Sequence, residues 1–442
     1  MTKRSFYKEI IRLGLPILVG QLGMIVTAFA DNIMVGRYST AALASSSFVN
    51  GVFNVVIFCC LGFTYGLTPL IGALYGQKRH RDIGALLRNG LFLNVLYSLV
   101  LTAALGVLYF YLDRLGQPEE LLPLIRPYYL TALAGILPVC VFNVFAQWSY
   151  ATTDTGTPMW IILGGNVFNI IGNYLLIFGH FGAPEMGLTG AGISTLASRV
   201  LTAAALVAVF ALAGRAREAR AGFRAGRLSR TSLGRVWRTS LPVSMQMTFE
   251  SGSFSFAAIM SGWLGAIPLA AFQIIVITGT LGFCVYYSVG AAISVVVANV
   301  AGSGDTALMR RAAWQGYHIM LVLMTCSSLI FALAGRTILG VFTDDPVVLA
   351  AAVALIFPLV LYQLGDATQI TFANALRGTS HVMPMLWIAF VSYVVVGTPA
   401  TYLLGFPAGM GLYGILLSFS VSLFLAGALF LVFFLRATRP PK

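Results

Sequence analysis

The chain of 442 residues is 58% hydrophobic and only 9% charged, with 46 Gly and 31 Phe, and its mean hydropathy is +0.88. A soluble domain carries about 25% charged residues, so this composition excludes a cytosolic enzyme and a disordered chain and leaves a polytopic membrane protein. The net charge of +13 would suggest nucleic acid in a soluble protein; here its placement along the chain carries the information.

A helix needs about 20 mostly apolar residues to cross the hydrocarbon core. Twelve stretches qualify: 11–36, 45–75, 86–112, 127–150, 158–179, 188–213, 240–263, 268–300, 313–334, 348–375, 383–405 and 411–435. No barrel-type alternation occurs, and helices satisfy their own backbone polar groups in lipid. The fold expected is therefore an all-α integral membrane protein with twelve transmembrane helices. The first run is too long for a signal-peptide core and leads straight into further spans, so it is expected to stay in the mature protein. Cys59, Cys60, Cys140, Cys284 and Cys326 all fall inside apolar stretches without metal-ligand spacing and read as small core residues.

Lys and Arg positions set the orientation. With the N-terminus inside, cytoplasmic segments collect 22 of the 27 basic residues: Lys3, Arg4, Lys8, Arg12, Lys78, Arg79, Arg81, Arg88, eight arginines from Arg215 to Arg238, Arg310, Arg311, Arg377, Arg436, Arg439 and Lys442. Arg37, Arg114, Arg126 and Arg336 remain outside, and Arg199 alone lies within a span. Both termini are thus expected in the cytoplasm. The 215–238 run reads as a solvated inside loop near anionic lipid rather than a nucleic-acid site.

That basic loop divides the chain into a six-helix lobe at 1–214, a linker at 215–238 and a second lobe at 239–442. Shifting by 226 residues superposes Arg12, Leu15, Pro16, Ile33, Met34, Gly36, Leu43 and Ala44 on Arg238, Leu241, Pro242, Ile259, Met260, Gly262, Leu269 and Ala270. An even number of spans per half makes the bundles parallel repeats, related by a pseudo-twofold axis along the membrane normal, as in transporters that rock two bundles about a central site. Pro16 and Pro242 either bend their helices or sit in a first turn, where proline is tolerated.

Intramembrane acids are candidates for function, because a charged group there is costly. Asp31 in span 1, Glu250 in span 7 and Asp366 in span 10 are the three. One intramembrane base, Arg199, cannot neutralise all of them, so two or more must be protonated, hydrated or bound to a transient ligand. Span 1 runs outward, which puts Asp31 about five residues, or roughly 8 Å, below its outer end. Asn173 and Asn169 in span 5, four apart and on one face, reach similar depth, as does Thr195 in span 6. One carboxylate, two amide oxygens and a hydroxyl would suit Na⁺, and the carboxylate alone would hold a proton; the plainer alternative is bonding between helices. Asp366 and Tyr362 lie one turn apart on one face, and with mid-span Glu250 they make a second candidate for proton exchange. Such an anionic, hydrated cleft attracts cations, with aromatic side chains available for stacking. Arg199 reads as a partner for an acid or a binder of an anionic group. No nucleotide-binding loop, zinc motif or nucleophile elbow occurs in a usable context, so no enzymatic activity and no cofactor are expected.

These residues resemble the multidrug and toxic compound extrusion (MATE) family over essentially the whole chain, most closely its NorM-type branch. The likeness is carried by Leu15-Pro16, the run Asp31 to Gly36, Gly72 to Gln77, Gly190-Ala191 with Ser194-Thr195, Gln246 to Glu250, and Gly365-Asp366 with Asn374, Leu376, Arg377 and Gly378. It implies a monomeric antiporter of the inner membrane that expels cationic, amphipathic compounds in exchange for Na⁺ or H⁺ by alternating access. The family's cation sites map onto Asp31, Asn169, Asn173 and Thr195 in the first half, and onto Glu250, Tyr362 and Asp366 in the second. Asn173 stands where some relatives carry a second acid, which leaves Asp31 the first site's only carboxylate. Two alternatives fit less well: a flippase for lipid-linked precursors, which needs basic groups for a pyrophosphate, and a membrane-embedded transferase, which needs a polar catalytic motif near an interface.

Overall fold

The computed structural model describes residues 5–116 and 118–439; Lys3, Arg4 and Lys442 of the charge count lie outside the described residues. The first-half helices are α1 (Tyr7–Tyr38), α2 (Thr40–Tyr65), α3 (Leu67–Gly76), α4 (His80–Tyr109), α5 (Leu122–Ala134), α6 (Ile136–Ala151), α7 (Gly156–Phe178), α8 (Gly187–Leu212) and α9 (Arg217–Ala225). There follow α10 (Arg230–Trp263), α11 (Ala266–Ala301), α12 (Thr306–Gly340), α13 (Pro346–Val353), α14 (Ile356–Gly378), α15 (Met383–Ala389), α16 (Thr398–Gly405) and α17 (Gly411–Ala437). No strand occurs among the described residues. The all-α expectation holds.

Apolar composition makes these helices; local chemistry sets their ends. Asp305 caps α12 by accepting from the Leu308 N–H at 2.9 Å, and Asp345 caps α13 by accepting from Val347 N–H at 2.8 Å, each satisfying a donor that the first turn leaves orphaned. Among the described residues ten helical runs are long and apolar enough to cross a membrane, and the bent pair α13–α14, kinked by 44°, supplies another. The predicted seventh span is the 34-residue α10, whose Gln246, Thr248, Glu250, Ser251, Ser253 and Ser255 dilute its apolar character. Large side chains stand outward on the long helices, Leu333 at 86% exposure, as hydrocarbon surroundings permit. Pro16 and Pro242 lie in helix interiors rather than first turns, so each removes a backbone hydrogen bond and favours a bend.

Two compact units divide the chain: Val19–Ser240, and Met1–Leu18 with Leu241–Lys442. The continuous helices α1 and α10 each contribute residues to both. In the first unit α7 packs on α8 and α4 on α9, over a core that includes Leu67, Phe145, Trp148 and Phe210. In the second, α14 packs on α17, α11 and α12 and buries Tyr286, Phe372, Phe430 and Phe434. The 215–238 run, expected as a solvated loop, is mostly helical: α9 lies against α4, and α10 already begins at Arg230. Residues 383–405, predicted as one span, run through a π-helical segment at Phe390–Gly397, a geometry frequent at functional sites.

Candidate functional site

In the unit Val19–Ser240, α1, α7 and α8 bring the four first-half candidates into one chain of hydrogen bonds. Asn173 Nδ2 donates to Asp31 Oδ1 at 2.5 Å and approaches Asn169 Oδ1 at 3.5 Å. Asn169 Nδ2 in turn donates to Thr195 Oγ1 at 3.1 Å. Their four-residue spacing on α7 puts Asn169 and Asn173 on one face, and the Ser194 hydroxyl fixes that face by donating to the Asn169 carbonyl at 2.9 Å. Both asparagines are buried, and Asn173 Oδ1 has no hydrogen-bond partner. An orphaned acceptor of this kind is costly unless a proton or cation satisfies it. The acceptors gathered here are one carboxylate, amide carbonyls and a hydroxyl, the hard oxygen donors that suit alkali and alkaline-earth ions. Among the described residues no three His, Cys, Asp or Glu side chains cluster for a metal.

A cavity of about 340 Å³ adjoins this chain, lined by Asp31 and Asn32 of α1, Asn50 and Asn54 of α2, Tyr128 and Thr131 of α5, and Thr195 and Arg199 of α8, among others. Asp31 and Thr195 face the cavity, whereas Asn169 and Asn173 stand behind them. Arg199 is one turn beyond Thr195 and within electrostatic reach of Asp31, yet no carboxylate lies within 4 Å of it among the described residues. It is therefore not the ion-pair partner that the sequence suggested. Asn50, Asn54, Tyr128 and Thr131 escaped sequence reasoning, although the pair Asn50 and Asn54 carries the same four-residue signal as Asn169 and Asn173. Tyr128 Oη donates to Asn50 Oδ1 at 3.4 Å.

The second-half candidates lie in the other unit, on α10 and α14. Glu250 Oε2 accepts from Gln246 Nε2 at 2.6 Å and from Gln369 Nε2 at 3.5 Å. The side-chain carbonyls of both glutamines are buried without a donor, so this site also holds unsatisfied oxygens beside a carboxylate. Asp366 is 7% exposed, within electrostatic reach of Glu250. Tyr362 sits one turn earlier on α14, its hydroxyl in the space that Gly279 of α11 leaves open: a Cβ on that glycine would lie 2.3 Å from the oxygen. Tyr393 of the π-helical segment also feels both acids, and its hydroxyl is buried without a partner; the sequence offered no signal for it. Asp31, Glu250 and Asp366 form no ion pair within 4 Å among the described residues.

A carboxylate without an ion pair facing a polar cavity, in helical units long and apolar enough to cross a bilayer, is an arrangement that suits a multi-pass transporter of small solutes. The MatE family model matches residues 16–175 and 242–403, and the chain belongs to that family, whose members are ion-coupled transporters and not enzymes. The two matches begin 226 residues apart, the offset at which the halves align. The chain is 30% identical to a probable multidrug resistance protein NorM of Bradyrhizobium diazoefficiens over 98% of this chain and 94% of that one. It is 29% identical to the corresponding protein of Xanthomonas axonopodis pv. citri, covering 88% and 84%. Its fold matches a solved MOP superfamily transporter from Pyrococcus furiosus with a TM-score of 0.89 at 19% identity, over 98% and 96% of the two chains.

Proposed function

We propose that the chain exports cationic, amphipathic drugs or toxic metabolites across the bacterial inner membrane in exchange for Na⁺ or H⁺. It acts as a monomer with both termini in the cytoplasm, its lobes 1–214 and 239–442 joined by the basic linker 215–238. The observation that carries this reading is Asp31, hydrogen-bonded to Asn173, in no ion pair within 4 Å among the described residues and facing a cavity of about 340 Å³. Na⁺ or a proton arriving from outside neutralises the buried carboxylates and weakens their hold on the organic cation. Return of the emptied carrier then takes the coupling ion inward. Competition for one negative charge supplies the differential affinity between states that alternating access requires. Asp31, Asn169, Asn173 and Thr195 make one coupling site, Glu250, Tyr362 and Asp366 the other. A flippase for lipid-linked pyrophosphates finds a single guanidinium, Arg199, in the cavity and is less well supported.

The test is ethidium efflux in proteoliposomes with Na⁺ and pH gradients imposed separately, which reads both direction and coupling. Asp31→Asn is expected to abolish efflux while the protein remains inserted and monodisperse. Wild-type efflux in that variant would remove Asp31 from the mechanism.

A further inference from the structure

The cavity between α1, α2, α5 and α8 is lined by two groups of opposite charge, Asp31 and Arg199, that form no ion pair with each other within 4 Å. Asp31 already accepts a hydrogen bond from Asn173. The Arg199 guanidinium makes neither a hydrogen bond nor an ion pair among the described residues, although Arg199 lines the same cavity. A guanidinium offers five N–H donors and cannot shed its charge in a protein. Leaving it without acceptors in a low-dielectric interior is expensive. Its position is specifically accommodated: Gly135, at the break between α5 and α6, leaves room that a Cβ would fill at 2.6 Å from Arg199 Nη1 and 3.2 Å from its Cδ. The remaining lining near it is neutral and polar, with Asn50, Tyr128 and Thr131, so nothing else there supplies a negative charge.

We propose that Arg199 is the specificity-determining residue of this cavity and recognises the carboxylate of those amphipathic substrates that carry one beside their cationic group. The planar fork of the guanidinium matches a carboxylate with two parallel hydrogen bonds, while the ligand's cationic end faces Asp31. This deepens the export reading and rests on it. A cavity answering to positive charge alone prefers a cation to the related zwitterion. With Arg199 available, the added carboxylate is compensated and the zwitterion loses nothing.

Two dyes with one xanthene core separate these cases: a rhodamine methyl ester, a permanent cation, and its free acid, a zwitterion. Binding to the purified full-length protein is read by fluorescence polarisation. The free acid is expected to bind the wild type at least as tightly as the ester; tighter binding of the ester overturns the proposal, whatever the variants do. Arg199→Gln is expected to shift the ratio of the two dissociation constants by at least about tenfold toward the ester, with Arg199→Lys recovering part of it. A smaller shift in the ratio, with both dyes weakened alike or neither affected, makes Arg199 a packing residue and overturns the proposal. Ion-driven export of the ester in the same preparation reports on the export reading alone.

Discussion

In the proposed coupling site, Asp31 offers a cation a charge and Asn173 offers it a neutral oxygen. The carboxylate accepts the Asn173 amide at 2.5 Å, while the buried Asn173 Oδ1 points its lone pairs at no donor. Leucine at this position would keep the branched shape, though with more volume, remove that oxygen and cost Asp31 a charge-assisted hydrogen bond of about 1.5–3 kcal/mol. Asn173→Leu is therefore expected to raise the Na⁺ concentration for half-maximal dye efflux by about tenfold or more. An unchanged Na⁺ dependence would take Asn173 out of the ion site. The i, i+4 spacing of Asn169 and Asn173 was readable before any coordinates, because helical geometry alone puts both on one face. What escaped was which neighbouring helix that face meets, and with it the position of Arg199. A lone arginine among acids suggests an ion pair; only packing shows that Gly135 gives it a separate place. Glu250 was equally visible as a buried acid, and its bond from Gln246 follows the same i, i+4 rule on α10, but the bond from Gln369 depends on α10 meeting α14, which spacing within one helix cannot express.

The arginine-rich segment shows how far composition can mislead about an element. Its charge argued for a solvated loop, yet α9 is held by backbone contacts that side-chain chemistry does not advertise. A Cβ on Gly84 of α4 would lie 1.6 Å from the Ala219 carbonyl oxygen, and one on Gly222 of α9 would lie 1.8 Å from the Arg81 carbonyl oxygen. Two glycines thus let the helices touch along their backbones. Arg88 secures the end of α9 by donating to the Gly226 carbonyl at 2.6 Å, a cation meeting the negative end of the helix dipole. Gly84→Val cannot be absorbed by a side-chain shift, since the obstacle is main chain. It is expected to release α9, so that limited trypsin cuts after Arg217, Arg220 and Arg224 at least about tenfold faster than in the wild type. Equal cleavage rates would mean that α9 is not anchored there. Nearby, Asp154 in the turn before α7 pairs with Arg215, whose guanidinium lies 5.7 Å from the centre of the Trp148 ring. Burial pushes the Asp154 carboxyl up, but hydrogen bonds from Thr157 and the charge of Arg215 outweigh it and hold the group below its ordinary value of 3.8. Folding favours its ionised form, so its stabilisation is complete above pH 3.8 and disappears as pH falls through the lower folded value. Asp154→Asn should accordingly lower Tm near neutral pH, and the difference should close toward about pH 3. A gap that stays constant down to that pH would assign the effect to packing.

At the scale of the whole chain, apolar length was the most legible feature. All twelve predicted spans fall on helices, because about 20 apolar residues have no other stable form in hydrocarbon. The internal interruptions were invisible. The break at Gly135, the 44° bend between α13 and α14 and the π-helical segment Phe390–Gly397 occur in sequence that is as apolar as its surroundings. The duplication was legible from a handful of identities at one offset, and the paired family matches begin at that same offset. Charge asymmetry yields a further prediction at this scale. An excess of Lys and Arg holds a helix end on the cytoplasmic side, and the start of α4 with Arg79 and Arg81 and the start of α12 with Arg310 and Arg311 alternate with basic-poor turns such as 341–345. A green fluorescent protein fused after Ala437 should fluoresce, and alkaline phosphatase at that position should be inactive. The reporters should exchange behaviour when inserted in the 341–345 turn, on the far side of the membrane. Replacing Arg310 and Arg311 by glutamine removes two of the charges that hold α12 in its orientation, and should raise phosphatase activity of a reporter placed at Gly304. Active phosphatase after Ala437 in the wild type would invert the whole assignment and with it the proposed direction of exchange, since the face from which Asp31 is proposed to take its coupling ion is read from the same charges.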